Sequence, residues 1–309
     1  MFIEYKKTNF RADALKKIEQ ANEIIDDMRS QGYTLTLRQL YYKFVSKDLI
    51  ENSVPSYKNL GSLISKARYA GLISWSAIED RNRTAHTYEY ENEDEHEALR
   101  GIETFISLDF WARQEDYMEV WVEKDALINV IERPCQRHSV PHMACKGSLS
   151  SSAAFEAGKR FADAAERGKR CTLIYLGDHD PTGIDITRDN QDRLDIFAPE
   201  AGVHVLRVAL NMDQVQKYNP PPNPAKETDS RFKGYAAKYG DTCWELDALE
   251  PSVIEAVITK EIKKRIDTDI WNDTLREQTE KRALLKDLYN RWDDIKPLLQ
   301  QWRNEEGEE

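Results

Sequence analysis

Two hydrophobic periods run along the chain, a helical one before residue 116 and a strand-like one after it. In residues 9–29, Leu15, Ile18, Ala21, Ile24, Ile25 and Met28 recur at three- and four-residue spacing. This predicts an amphipathic helix stopped at Gly32. Thr34 or Thr36 is placed to cap a second helix, in which Leu37, Leu40, Tyr41, Phe44 and Val45 form one stripe. Pro55 and Gly61 mark a turn and a helix boundary. Leu60, Leu63, Ile64 and Ala67 predict a third helix ending near Gly71, followed by short extended pieces at 72–75 and 77–78. Beyond that, apolar runs at 117–122, 140–144, 173–176 and 203–210 predict strands, with helices between them. That alternation implies an α/β domain with a mostly parallel sheet. The run at 173–176 is continuous and bounded by turn residues, so it reads as an inner strand covered on both faces. From Ser252 the chain reads as helix. Leu285, Leu288, Trp292, Ile295, Leu299 and Trp302 form a coiled-coil-like seam interrupted by Pro297, suited to packing on the body or to a dimer zipper.

These elements predict five segments: an N-terminal helix (1–30), a helical DNA-binding domain (31–86), an acidic linker with a connecting helix (87–115), a Rossmann-like domain with an insertion (116–250) and a helical C-terminal extension (251–309). Helix, turn, basic helix and a short β-like tail is the order of a winged helix, whose third helix enters a DNA groove. The connecting helix, around Leu99, Ile102, Phe105, Ile106 and Phe110, is expected to pack on the domain that follows it.

Charge qualifies this picture. The formal net charge of the 309 residues is −11. Taken alone, that argues against a nucleic-acid partner, but local patches matter more than the sum. Lys43, Lys47, Lys58, Lys66, Arg68 and Arg81 crowd the stretch from Arg38 to Arg83, whereas acids concentrate at 89–97 and in the C-terminal tail. The run 88–97 has no apolar period and reads as an exposed linker. No apolar run is long enough to span a bilayer and no signal-peptide core precedes the first helix, so a cytoplasmic location and no membrane partner are expected. Four scattered cysteines in mostly apolar contexts suggest reduced thiols.

Candidate chemistry lies at the predicted strand ends. Asp178 and Asp180 follow the inner strand, and Glu123 ends another. In open α/β sheets ligands sit outside the carboxyl ends of strands. Carboxylates so close repel unless a proton or cation lies between them, and all-oxygen ligation suits Mg²⁺. Upstream, Tyr41 lies on the helical stripe, while Tyr42 is about 100° round and falls off it. Arg38, four residues before Tyr42, is its neighbour on the side read as exposed. A nearby cation favours phenolate, the form a phosphoryl-attacking tyrosine needs. A tyrosine at a domain contact or stacked on DNA has the same pattern. Cys135, His138, His142 and Cys145 have zinc-like spacing, but the last two flank a predicted strand whose alternation would scatter them.

Glu123-Lys124-Asp125-Ala126-Leu127, Lys146-Gly147 and Asp178-His179-Asp180-Pro181-Thr182-Gly183 resemble the Toprim domain of topoisomerase VI A subunits and their relatives, the meiotic double-strand-break proteins. Arg38-Gln39-Leu40-Tyr41-Tyr42 is similar to that family's active-site motif. The resemblance covers roughly residues 35–210 and is nearest to orphan, mobile-element-type versions, since the chain is short and differs after the tyrosine pair. It implies a winged helix plus Toprim fold, double-stranded DNA as partner, and a homodimer in which the tyrosine of one subunit works with the Toprim site of another. In that scheme Tyr42 is the nucleophile and Arg38 its assistant. Glu123, Asp178 and Asp180 hold Mg²⁺, and Lys43, Lys58, Lys66, Arg68, Lys124 and Lys146 meet DNA. No ATPase module lies among these residues, so strand passage would need a separate ATPase B-type subunit. Two alternatives stay open: a Toprim metal-dependent nuclease without a covalent tyrosine intermediate, and a non-enzymatic winged-helix DNA-binding protein. Lys226, Arg231 and Lys233 after the proline-rich loop are further candidates for phosphate contact. Glu245 or Asp247 is a weaker candidate for the metal shell, with a capping or surface role expected instead.

Overall fold

A computed structural model describes residues 2, 4–79 and 94–306. The chain divides into two compact units, one formed by residues 1–84 and 115–265, the other by 85–114 and 266–309. Most of the acidic run at 88–97, together with Arg81 and Arg83, lies outside the described residues.

The first unit begins with helix α1 (Ala12–Ser30), whose Ile18, Ala21, Ile24, Ile25 and Met28 are all buried. Strand β1 (Leu35–Thr36) leads directly into helix α2 (Leu37–Ser46). Thr36 and Gln39 form a reciprocal capping box there, satisfying backbone N–H groups that a helix start leaves bare. Helix α3 (Val54–Tyr69) starts at the Ser53 cap with Pro55 in its first turn. Leu40, Phe44, Leu60, Ile64 and Ala67 join the α1 stripe in one core. Strand β2 (Ile78–Glu79) closes this part, pairing in parallel with β1.

Helix α4 (Glu95–Phe105) belongs to the second unit, where it packs on α11 (Thr268–Asn290). Trp271 stacks on Phe110 and Trp111, and the Gln278 side chain accepts the Leu108 N–H. The predicted apolar seam is divided between α11 and α12 (Trp292–Glu306), which carries Pro297 inside it.

Within the first unit, strands β3 (Asp116–Val122), β4 (His142–Ala144), β5 (Arg170–Leu176) and β6 (His204–Ala209) form one sheet in the order β4-β3-β5-β6, with every pairing parallel. Alternation sends Trp121, Leu173 and Tyr175 to one face, where they meet Phe161 of helix α6 (Ser151–Glu166) and Leu194 of helix α7 (Pro181–Phe197). Val120, Val122, Ile174 and Leu176 are just as buried and face the other way. Helices α5 (Ile128–Arg137) and α10 (Pro251–Lys263) pack on each other, so α10 belongs with the sheet and is no part of a separate extension. Between β6 and α10 run α8 (Met212–Tyr218), β7 (Asn223–Pro224), α9 (Phe232–Tyr239) and β8 (Thr242–Cys243). Among the described residues no helix is long and apolar enough to cross a membrane.

Candidate active site

Sheet register creates the site. Val122 of β3 pairs with Leu176 of β5, so Glu123 emerges beside Gly177 and Asp178. The Glu123 N–H donates to the Leu176 carbonyl at 2.8 Å, and the Asp178 N–H donates to Glu123 Oε2 at 2.9 Å. Two glycines permit this closeness. A Cβ on Gly177 would lie 2.8 Å from both Glu123 Oε2 and the Tyr175 hydroxyl, and one on Gly183 would collide with the Asp178 carbonyl. Asp180 caps α7, accepting the Gly183 N–H. Half-buried Arg207 stitches the loop, donating to the carbonyls of Gly177, Asp178 and Gly183 at 2.9, 2.6 and 2.8 Å.

A second set of acids arrives from far along the chain. His179 and Trp244 exchange backbone hydrogen bonds at 2.8 and 3.0 Å, tying the 242–249 segment to the exit of β5. Leu246 then donates its N–H to Asp178 Oδ1 at 2.8 Å. Glu245 and Asp247 are thereby brought to Asp178, and these three residues offer ligand oxygens within 4.8 Å of one another. This is the one group of three such ligands among the described residues. It corrects the capping or surface role expected for Glu245 and Asp247, and Glu123 and Asp180 lie outside the group.

Lys124 fills the centre of this group. Its ammonium lies 2.7 Å from Asp178 Oδ2 and 2.9 Å from Asp247 Oδ1, and also pairs with Glu245. Arg38 closes the outer side, with Nη2 2.8 Å from Glu245 Oε2 and Nε 3.0 Å from Asp247 Oδ2. Helix α2 is thus fastened to the acids, and the Arg38 guanidinium lies 5.8 Å from the centre of the Tyr42 ring.

Tyr42 departs from expectation. Its residue is 6% exposed, against the exposed face that the helical stripe suggested. The second face of α2 is covered by Asp247, Ala248, Leu249 and Pro251, which line a small crevice with Tyr42 and Gln39. Burial, followed by Asp247 and Glu245, pushes the Tyr42 hydroxyl up to about 12, outweighing Arg38 and Lys124. Arg38 still lowers the hydroxyl as expected, but in this arrangement its effect is outweighed.

The carboxylates split in direction. Burial raises Asp178 well above the ordinary range; Lys124 opposes the rise, and Glu123, Glu245 and Asp247 add to it. Burial also raises Glu123, aided by Asp180 against the Asp178 N–H. For Glu245 burial works the same way, but Lys124 and Arg38 outweigh it and hold the group low. Five acids (Glu123, Asp178, Asp180, Glu245 and Asp247) face three cations (Lys124, Arg38 and Arg207). The Tyr175 hydroxyl, fully buried beside Glu123, has no hydrogen-bond partner among the described residues.

The expected DNA contacts divide. Lys58 and Lys66 are exposed on α3. Lys146 is 66% exposed, 3.6 Å from Asp125. Three others are taken by the protein itself. Lys43 pairs with Glu250. Arg68 donates to the Trp75 carbonyl at 2.7 Å and stacks over that indole. Lys124 is held by its three acids. Arg231, after the proline-rich loop, pairs with Asp185. The zinc-like residues form no ligand group among the described residues. Burial raises Cys135 and Cys145 to about 12, and His138 Nδ1 lies 2.8 Å from the Pro134 carbonyl.

Sequence reasoning missed Arg207 and Tyr175 and underrated Glu245 and Asp247. Acids interleaved with Trp244, Leu246 and Leu249 in a segment too short for a helix were the available signal, since acids in apolar company are buried only when paired. No protein-family model matches the chain, and no curated protein matches it.

Proposed function

We propose that the chain is a topoisomerase VI A-like DNA-cleaving protein, a winged helix followed by a Toprim domain, with Tyr42 as nucleophile. One observation carries this reading: a single charged cluster joins the Arg38–Tyr42 helix to strand-end Asp178 through Lys124, Glu245 and Asp247. The order α2, turn, α3, short β2 supports a winged helix, with Lys58 and Lys66 available for phosphates. Acids at the carboxyl ends of the two inner parallel strands support a Toprim site.

Magnesium fits the residues present. The donors are oxygens, acids outnumber cations five to three in the cluster, and the Tyr175 hydroxyl beside Glu123 lacks a hydrogen-bond partner among the described residues. Asp178 would hold it, with Glu123 and Asp180 as the partners the Toprim reading gives it, although Glu245 and Asp247 are the acids grouped within 4.8 Å of it here; bound there, the ion would supply charge stabilisation to a DNA phosphate. Tyr42 Oη forms a bond to phosphorus as one phosphorus–oxygen bond to deoxyribose breaks. The phenolic proton ends on the departing sugar oxygen. Arg38, released from Glu245 and Asp247, is positioned by its helix to meet the phosphate beside Tyr42. The phosphodiester energy is kept in the phosphotyrosyl link, so the strand can reseal. Two copies of the chain, each nicking one strand of nucleoid DNA, make a double-strand break. Strand passage would draw on a separate ATPase subunit.

The burial of Tyr42 and its raised hydroxyl favour a second reading, a metal-dependent Toprim nuclease in which Tyr42 is structural. Denaturant trapping on double-stranded DNA with Mg²⁺ or Mn²⁺ separates the two. The first reading expects a covalent protein–DNA adduct that Tyr42→Phe abolishes. Cleavage that survives Tyr42→Phe but vanishes in Asp178→Ala sinks it in favour of the nuclease. Salt-sensitive binding with no cleavage by any variant leaves a DNA-binding protein.

A further inference from the structure

We infer that Lys124 is a tethered counter-ion that competes with a divalent cation for Asp178. This rests on the metal-binding half of the proposed function. At the end of β3 the backbone is still extended at Lys124, so Glu123 and Lys124 point opposite ways. Glu123 receives the Asp178 N–H, while Lys124 reaches the Asp178 carboxylate. One strand end therefore brings an acid and a cation to the same aspartate.

Asp178 has no idle oxygen. Oδ1 takes the Leu246 N–H and Oδ2 takes Lys124 at 2.7 Å. The ammonium spends its three N–H groups on Asp178, Glu245 and Asp247, and the side chain is only 16% exposed. A divalent ion bound through Asp178 would sit about 2 Å from a carboxylate oxygen. It would share that carboxylate with a positive charge, in a site with little water to screen the repulsion. The two cations are alternatives. Lysine suits the role, being a compact point charge on a flexible stem that moves without dismantling a planar fork. Arg38 is the second latch, because Glu245 Oε2 serves both cations. Uptake of the divalent ion frees Lys124 to meet a phosphate and loosens the acids that hold Arg38 beside Tyr42. The closed cluster is then the resting state of the site.

The test is metal binding, not cleavage. Calorimetric titration with Mg²⁺ or Mn²⁺, without DNA, compares the wild type with Lys124→Gln. The variant is expected to bind about tenfold more tightly, equivalent to about 1.4 kcal/mol. Because Lys124→Gln leaves buried acids uncompensated and its fold is at risk, a second measurement uses the wild type. Amine-directed acetylation of Lys124, read by mass spectrometry, should be slow without divalent ion and severalfold faster at saturating Mg²⁺. Equal affinity in both proteins, or labelling unchanged by bound Mg²⁺, overturns the competition and leaves the metal reading intact. No divalent binding by either protein overturns both, while the Tyr42 adduct is judged separately.

Discussion

Glu123, Asp178 and Asp180 sit where β3 and β5 leave the sheet, whereas Glu245 and Asp247 reach the same place on a connecting segment. The strand-end set is held by backbone: an N–H donated onto Glu123, another onto Asp178, a helix start on Asp180. The connecting set is held by charge, with Lys124 and Arg38 each paired to both of its members. Glu123 and Asp178 are driven upward by burial, while Glu245 is held down by its two cations. Backbone positioning leaves Glu123 without a paired cation, ion pairing satisfies Glu245 and Asp247, and Asp178 shares both conditions, with the Leu246 N–H on one oxygen and Lys124 on the other. On the proposed reading the strand-end acids, Asp178 above all, are the set at which a divalent ion would exchange by displacing Lys124, and the connecting acids are the set that fastens α2 onto the sheet domain.

The largest effect should come from the fastening set. The Asp247 side chain is fully buried between Lys124 and Arg38. Asp247→Ala leaves both cations short of a partner, and removing one member of a buried pair costs about 3–5 kcal/mol. Urea unfolding of wild type and variant checks this. A loss under about 1 kcal/mol would mean that charge does not hold the segment, and the contrast between the sets would collapse.

The second expectation concerns pH, in metal-free protein with chelator present. Raised folded values mean that the folded chain keeps protons on Glu123 and Asp178 after the unfolded chain has lost them. Their contribution is full below the ordinary carboxylate range and is lost as pH rises through the raised values. Glu245 has the opposite sign. Its contribution is present above the ordinary value and is lost as pH falls through the depressed one. Denaturant unfolding at stepped pH should therefore show Glu123→Gln losing part of the decline above the ordinary range. Glu245→Gln should lose part of the decline below it. Matching slopes in both variants and the wild type would erase the distinction.

The two sets also differ in how far sequence reveals them. A strand buried on both faces is a continuous apolar run, so 173–176 announces its inner position, and Gly177 announces its end. The four strands and most helices follow from such local patterns, as does the four-residue neighbourhood of Arg38 and Tyr42. Local periodicity is silent on where a connecting segment lands. Trp244 to Leu249 covers the second face of α2 from about two hundred residues away, so Tyr42 is buried although no stripe claims it. The same blindness made Lys43 and Lys124 look free for DNA, since their partners Glu250, Glu245 and Asp247 come from that distant stretch.

The smallest effect, and the sharpest division, is expected at Asp180. Its carboxylate accepts the Gly183 N–H at the start of α7, so it serves the fold as a cap whether or not a metal binds. Asp180→Ala should cost about 1 kcal/mol in urea unfolding. Asparagine caps a helix as well as aspartate does, so Asp180→Asn should stay within a few tenths of a kcal/mol of wild type. It nonetheless removes one of the five acids and replaces a carboxylate, the hard donor magnesium prefers, with a neutral amide. If Asp180 belongs to the exchangeable set, Asp180→Asn keeps its stability and binds Mg²⁺ more weakly in calorimetry. Unchanged affinity with unchanged stability would reduce Asp180 to a cap and leave Glu123 and Asp178 as the strand-end acids that call for a cation.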